Sequence, residues 1–230
     1  MGQVSNDEDF LQIPNLKWLP WIGSDYSTST SKILIVGESH YYNNTLEEIE
    51  EFKRKEKTRE VVDWMGVKNN HGKIKFFPNL YRLLVDNSFK ELGLFWSRVS
   101  FYNFIQEPIV KGKRPQWMDF DKSLPPFFNL LEKLTPSPTI CLMCGIESNG
   151  HIKRYIENSN FKIVSLNEQS DKIGGVTPRI IKIESPKGAI INLIFIRHPS
   201  WFMYKWKVFL SNNFPEFVSR FDDLRVSSNF

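Results

Sequence analysis

Three short stretches carry side chains suited to chemistry on a polar, ring-shaped substrate: Gly37-Glu38-Ser39-His40-Tyr41-Tyr42, Tyr102-Asn103 and Arg197-His198-Pro199-Ser200. Each lies at the end of an apolar run of strand length, and in open parallel sheets ligands bind beyond the carboxyl ends of the strands. The three side chains offer different tools. A carboxylate such as Glu38 can orient water or oppose positive charge on a sugar. The Asn103 carboxamide can donate and accept at once along a pyrimidine edge, and the His198 ring can hydrogen-bond a departing base as its negative charge develops. Together they are the groups needed to read a base and hydrolyse its bond to a sugar.

These positions become useful only if strands and helices set them side by side. Lys32 to Val36 is a continuous aliphatic run stopped by Gly37, the pattern of a strand buried on both faces. Further strands are expected at Arg98–Ile105, within Pro138–Gly145, and at Phe161–Leu166, Arg179–Ile183 and Ala189–Ile196. The last two are joined by Ser185-Pro186-Lys187-Gly188 as a hairpin turn. Thr45-Leu46-Glu47-Glu48 is a capping-box signature for a charged surface helix reaching about Trp64. Other helices are expected from Pro78 to Leu84, from Ser123-Leu124-Pro125-Pro126 to about Leu134, and from Tyr204 onward. Alternating strands and helices predict an α/β fold, a three-layer α/β/α sandwich around a mostly parallel central sheet.

A chain of 230 residues, 41% hydrophobic, suffices for one substantial core. We expect a single domain over 1–230, with 1–30 as an N-terminal extension in which Trp18 and Trp21 tie down a Ser/Thr-rich loop. Thirty basic against 26 acidic side chains give +4, enough to permit phosphate contact but too little to specify nucleic acid. No apolar run approaches the roughly 18–20 residues that span a bilayer, and the first residues lack a signal-peptide pattern. An intracellular protein, cytoplasmic or nuclear and without a membrane partner, is therefore expected. Gly2 and Ser5 fit a short myristoylation pattern. Cys141 and Cys144 have CxxC spacing, but no second CxxC or matched histidine pair completes a metal set. Both are expected inside a buried strand, with no metal and no cofactor.

The motifs, in their order, resemble the uracil-DNA glycosylase superfamily. Ile33-Leu34-Ile35-Val36-Gly37-Glu38-Ser39 is similar to the strand and GE turn of the iron–sulfur uracil glycosylases. Phe101-Tyr102-Asn103 resembles the strand that bears the uracil-reading Asn, and His198-Pro199-Ser200 the motif opening the DNA-intercalating loop. His71-Gly72, Phe76-Phe77 and Pro78-Asn79-Leu80 are similar to the HG pair, stacking Phe and Pro-rich backbone loop of the common enzymes. The resemblance spans about residues 32–205.

It implies a uracil-DNA-glycosylase-like fold and DNA, single- or double-stranded, as partner. Glu38 and His198 would be catalytic, and Asn103 with Tyr41, Phe76 and Phe77 would recognise the base. Ser39, Pro78, Ser200, Trp201, Phe202 and Lys205 would contact DNA, with Lys111-Gly112-Lys113-Arg114 and Lys207 as further phosphate contacts. Ser39 stands where the common enzymes have a water-activating Asp, so the acidic role passes to Glu38. The four cluster cysteines of the iron–sulfur branch are absent, so no cluster is expected. Two other readings use the same residues: a binding protein of this fold without turnover, which Ser39 favours, and a hydrolase with Ser39 as nucleophile and His198 as base. The second needs a glycine where Tyr41 stands.

Overall fold

The computed structural model describes residues 7–43, 45–145, 147–169 and 171–225; Gly2 and Ser5 lie outside the described residues. The strands are β1 (Trp21–Ile22), β2 (Ile33–Gly37), β3 (Tyr41–Tyr42), β4 (Val99–Asn103) and β5 (Ile109–Val110). They continue with β6 (Ile140–Cys144), β7 (Lys162–Glu168), β8 (Arg179–Glu184) and β9 (Ile190–Ile196). The helices are α1 (Asp7–Leu11), α2 (Leu46–Glu51), α3 (Lys57–Val61), α4 (Phe76–Leu84) and α5 (Leu92–Arg98), then α6 (Trp117–Lys133), α7 (Ser148–Ile156), α8 (Tyr204–Asn213) and α9 (Pro215–Ser219).

Seven strands form one sheet in the order β1-β4-β2-β6-β9-β8-β7. The central four, β4, β2, β6 and β9, run parallel, while β1, β8 and β7 are antiparallel to their neighbours. The aliphatic run of β2 feeds both faces. Ile33 and Ile35 join a core with α4, α5, α8 and α9, which supply Leu80, Trp96, Phe209 and Phe217. Leu34 and Val36 face the opposite core, filled by Phe127 and Leu131 of α6 and Ile152 of α7. Helices on both faces of a sheet make the fold α/β in three layers, and each fully buried large side chain contributes about 1.5–3 kcal/mol.

Several boundaries differ from expectation, each for a local reason. The charged helix after Thr45 is broken. Thr45 caps α2 by accepting from the Glu48 amide (3.2 Å), but buried Phe52 then turns in against Trp18 and His40, and the chain restarts as α3. A π-helical turn, Val62–Val67, follows and brings Gly66 against Trp96, where a Cβ would stand 2.6 Å from the indole nitrogen. The helix α6 begins at Trp117 rather than Ser123, because Gln116 and Asp119 form a capping box upstream. Pro125 and Pro126 thus lie inside it; their lost backbone bonds are offset by burying Pro126, Phe127, Phe128, Leu130 and Leu131.

Strand β4 ends at Asn103 instead of Ile105, since the Phe104 and Ile105 amides turn to the carbonyls of Gly37 (2.9 Å) and Glu38 (2.8 Å). Within residues 7–30, Phe10, Trp18, Leu19, Trp21 and Tyr26 are buried, and β1 pairs Trp21 with Phe101 as a sheet edge. At the other edge, β7 carries a register break between Ile163 and Ser165, with Val164 and Leu166 exposed. Cys141 and Cys144 are free and buried in β6, and burial pushes both thiols far above their ordinary range. Among the described residues no helix is long and apolar enough to cross a membrane, and no group of three His, Cys, Asp or Glu could hold a metal ion.

Candidate functional site

The parallel strands β2, β4, β6 and β9 end at the same edge of the sheet, and the loops beyond them enclose a cleft of about 760 Å³. Glu38, Ser39 and Tyr41 line it from the β2 loop, Asn103 from the end of β4, and His198, Ser200 and Trp201 from the β9 loop. Phe76 and Phe77 of α4 close one side. The two loops flanking Glu38 and Asn103 are knitted together, because β3 and β5 form a small parallel pair with Tyr41 beside Ile109.

Asn103 sits opposite Gly37 in the β2–β4 register. The pairing works because position 37 has no side chain: a Cβ there would lie 2.5 Å from Asn103 Oδ1. Asn103 is only 4% exposed, and its carboxamide has no hydrogen-bond partner among the described residues. Its backbone carbonyl is held instead, accepting from Gln106 Nε2 (2.6 Å). Gln106 Oε1 in turn accepts from the amides of Lys17 (3.0 Å) and Trp18 (2.9 Å), so the N-terminal segment braces the loop after β4.

Glu38 receives a hydrogen bond from the Tyr41 hydroxyl, which fixes one carboxylate oxygen. Burial, then that bond to Glu38, pushes the Tyr41 phenol well above its ordinary range, so it stays a donor. Tyr41, one of the residues expected to recognise the base, lines the cleft with its hydroxyl directed at the carboxylate. The His198 ring sits 5.1 Å from that of Phe76, and its Nδ1 accepts from the Ser200 amide (3.3 Å). Burial lowers its pKa to about 4, so the ring is neutral at ordinary pH and the proton lies on Nε2. Asn79, buried on α4, donates to the Pro199 carbonyl (2.8 Å) and anchors this turn.

The remaining expected residues are divided between the cleft and its surroundings. Ser39 lines the cleft, but its hydroxyl donates to the Glu107 carbonyl (2.6 Å), and it makes no hydrogen bond to His198 among the described residues. Pro78 and Phe202 line an adjoining groove of about 750 Å³ that shares Ile74, Ser200 and Trp201 with the cleft. Lys205 is exposed on α8 and lines neither, and Lys207 turns inward to the Val85 carbonyl (2.5 Å) behind α4. Lys111 and Arg114 do reach the cleft, and so do Gly145 and Glu147, from a loop after β6 that the sequence did not single out. His40 also borders the cleft but is buried, with Nε2 2.9 Å from Thr58 Oγ1, and burial lowers its pKa to about 3. No protein-family model and no curated protein matches the chain.

Proposed function

We propose that the cleft takes up an extrahelical uracil-type base in DNA and hydrolyses its N-glycosidic bond, in a fold of the uracil-DNA-glycosylase kind. The observation that carries this reading is the Asn103 carboxamide, on a residue only 4% exposed, without a hydrogen-bond partner among the described residues and lining the same cleft as a neutral His198 and a fixed Glu38. Its donor and acceptor open onto the cleft, and a pyrimidine edge offers the matching acceptor and donor. The bond between the sugar and the base breaks with its electron pair leaving on the base, where the His198 Nε2–H donates to the oxygen that gains charge. The Glu38 carboxylate opposes the cationic sugar, orients the water that adds to it and takes the proton that this water gives up, while the departed base anion is protonated from solvent. Phe76 and Phe77 supply ring faces beside the base.

The Ser39 hydroxyl, committed to the Glu107 carbonyl, favours a second reading in which the site binds the base without turnover. The same bond disfavours Ser39 as a nucleophile, as does its continuation into β3 where an elbow needs a helix. Release of free uracil from a labelled uracil-containing oligonucleotide separates the readings. We expect release by the wild-type protein, roughly 100- to 1000-fold slower in His198→Ala, as for loss of a donor to developing charge. Glu38→Gln keeps an acceptor for Tyr41 and should stop release while retaining binding. Binding without any release assigns the second reading, and neither binding nor release removes both.

A further inference from the structure

The groove beside the cleft is built from cations and rings. Lys73, Lys75 and Arg82 line it together with Phe89, Trp201 and Phe202, and no carboxylate is among its lining residues. Neither Lys73 nor Lys75 has an ion-pair partner among the described residues. Arg82 is shared between Asn79 Oδ1 (3.2 Å) and the face of Phe89 (5.1 Å), with no ion-pair partner among the described residues. A row of cations left unpaired in an open groove is complementary to a chain of phosphates.

Trp201 stands on the ridge between groove and cleft, lining both. It is 67% exposed, yet held: the Arg197 guanidinium lies 5.3 Å from the ring centroid, and Arg197 Nη1 donates to the Gly174 carbonyl (3.0 Å). Met203, two residues further on, packs inward where a Cβ on Gly174 would stand, 2.3 Å from its sulfur. What remains outward is a fixed indole and the ring of Phe202, 37% exposed. A fixed ring offers a face to stack on; stacking a paired base on it would first require opening the duplex, whereas a single strand presents its base faces freely.

We propose that this groove binds single-stranded DNA next to the extruded base, with the adjacent base stacked on Trp201 and the backbone following Lys73, Lys75 and Arg82. The proposal rests on the preceding reading only in placing a base in the cleft, and it makes single-stranded DNA the preferred form of the substrate. The test therefore uses a fluorescein-labelled 12-nucleotide oligo(dT) without uracil, and a duplex of the same length, followed by anisotropy with the full chain.

Binding of the single strand at least about tenfold tighter than the duplex is expected. Trp201→Ala should weaken it about tenfold, within the range for one stacked base, with Trp201→Phe restoring most of the loss. The double variant Lys73→Ala/Lys75→Ala should make the salt dependence shallower by roughly 0.7 per lysine. Equal binding of duplex and single strand, an unchanged affinity in Trp201→Ala, or tighter binding of the matching RNA strand would overturn the proposal. Because the probe holds no uracil, these results with no uracil release remove the reaction and leave the groove. Uracil release that is indifferent to Trp201→Ala, with oligo(dT) affinity also unchanged, removes the groove and leaves the reaction.

Discussion

At position 37 a methyl group would lie 2.5 Å from Asn103 Oδ1 and 2.9 Å from the Phe101 ring. Phe101 is packed in the core and cannot yield, so the Asn103 side chain must move. Gly37→Ala should therefore displace the Asn103 carboxamide from the cleft and cost about 1–3 kcal/mol of stability, the usual penalty for overpacking. Binding of a uracil-containing oligonucleotide should fall much further than that of oligo(dT), which needs no base in the cleft. An affinity ratio between the two strands that matches wild type would show that Asn103 does not read the base. That Glu38, Asn103 and His198 share one cleft was legible in the sequence because each ends or closely follows a strand-forming run. Their partners were not. The bonds from Gln106 to Trp18 and from Asn79 to Pro199 join residues 88 and 120 positions apart, and a glutamine or asparagine carries no local sign of a distant carbonyl or amide.

At the scale of elements, the site is held by loops that are bonded to one another rather than merely adjacent. Gln106 is the joint: it serves two amides of the N-terminal segment and the carbonyl of Asn103 at once. Gln106→Ala leaves all three groups without that partner and should cost at least about 2 kcal/mol, read as a lower urea midpoint. Gln106→Glu keeps acceptors for the amides of Lys17 and Trp18 but loses the donor to Asn103. It should recover much of the stability while uracil binding remains weak; recovery of both together would mean that the brace is structural only. The strands of the parallel centre were readable from their aliphatic runs. The two-residue β1 was not, because a period cannot be seen in two residues, and the early start of α6 was hidden behind prolines that ordinarily mark a helix's first turn.

For the molecule as a whole, two histidines are held neutral by burial, His40 at a pKa of about 3 and His198 at about 4, against about 6.5 in an unfolded chain. The unfolded chain therefore binds more protons than the folded one between those values. The stability they contribute is complete above about pH 6.5 and declines as the pH falls toward the folded values, by roughly 1–2 kcal/mol each between pH 6.5 and 5. Thermal unfolding should shift down by several degrees over that interval, and His40→Gln should flatten part of the slope. A midpoint unchanged from pH 7 to pH 5 would contradict the lowered pKa of both rings. The register break at Val164 bears on how this protein behaves when concentrated. An outer strand with Val164 and Leu166 exposed is a template on which a second chain could add, but one extra residue bends the edge out of line. Lys153 and Arg179 both reach Glu168 at its far end (3.2 Å each), placing charge where a neighbouring strand would have to dock. Resistance to edge-to-edge self-association thus depends on a single irregularity and a charged corner, at the opposite border of the sheet from β1.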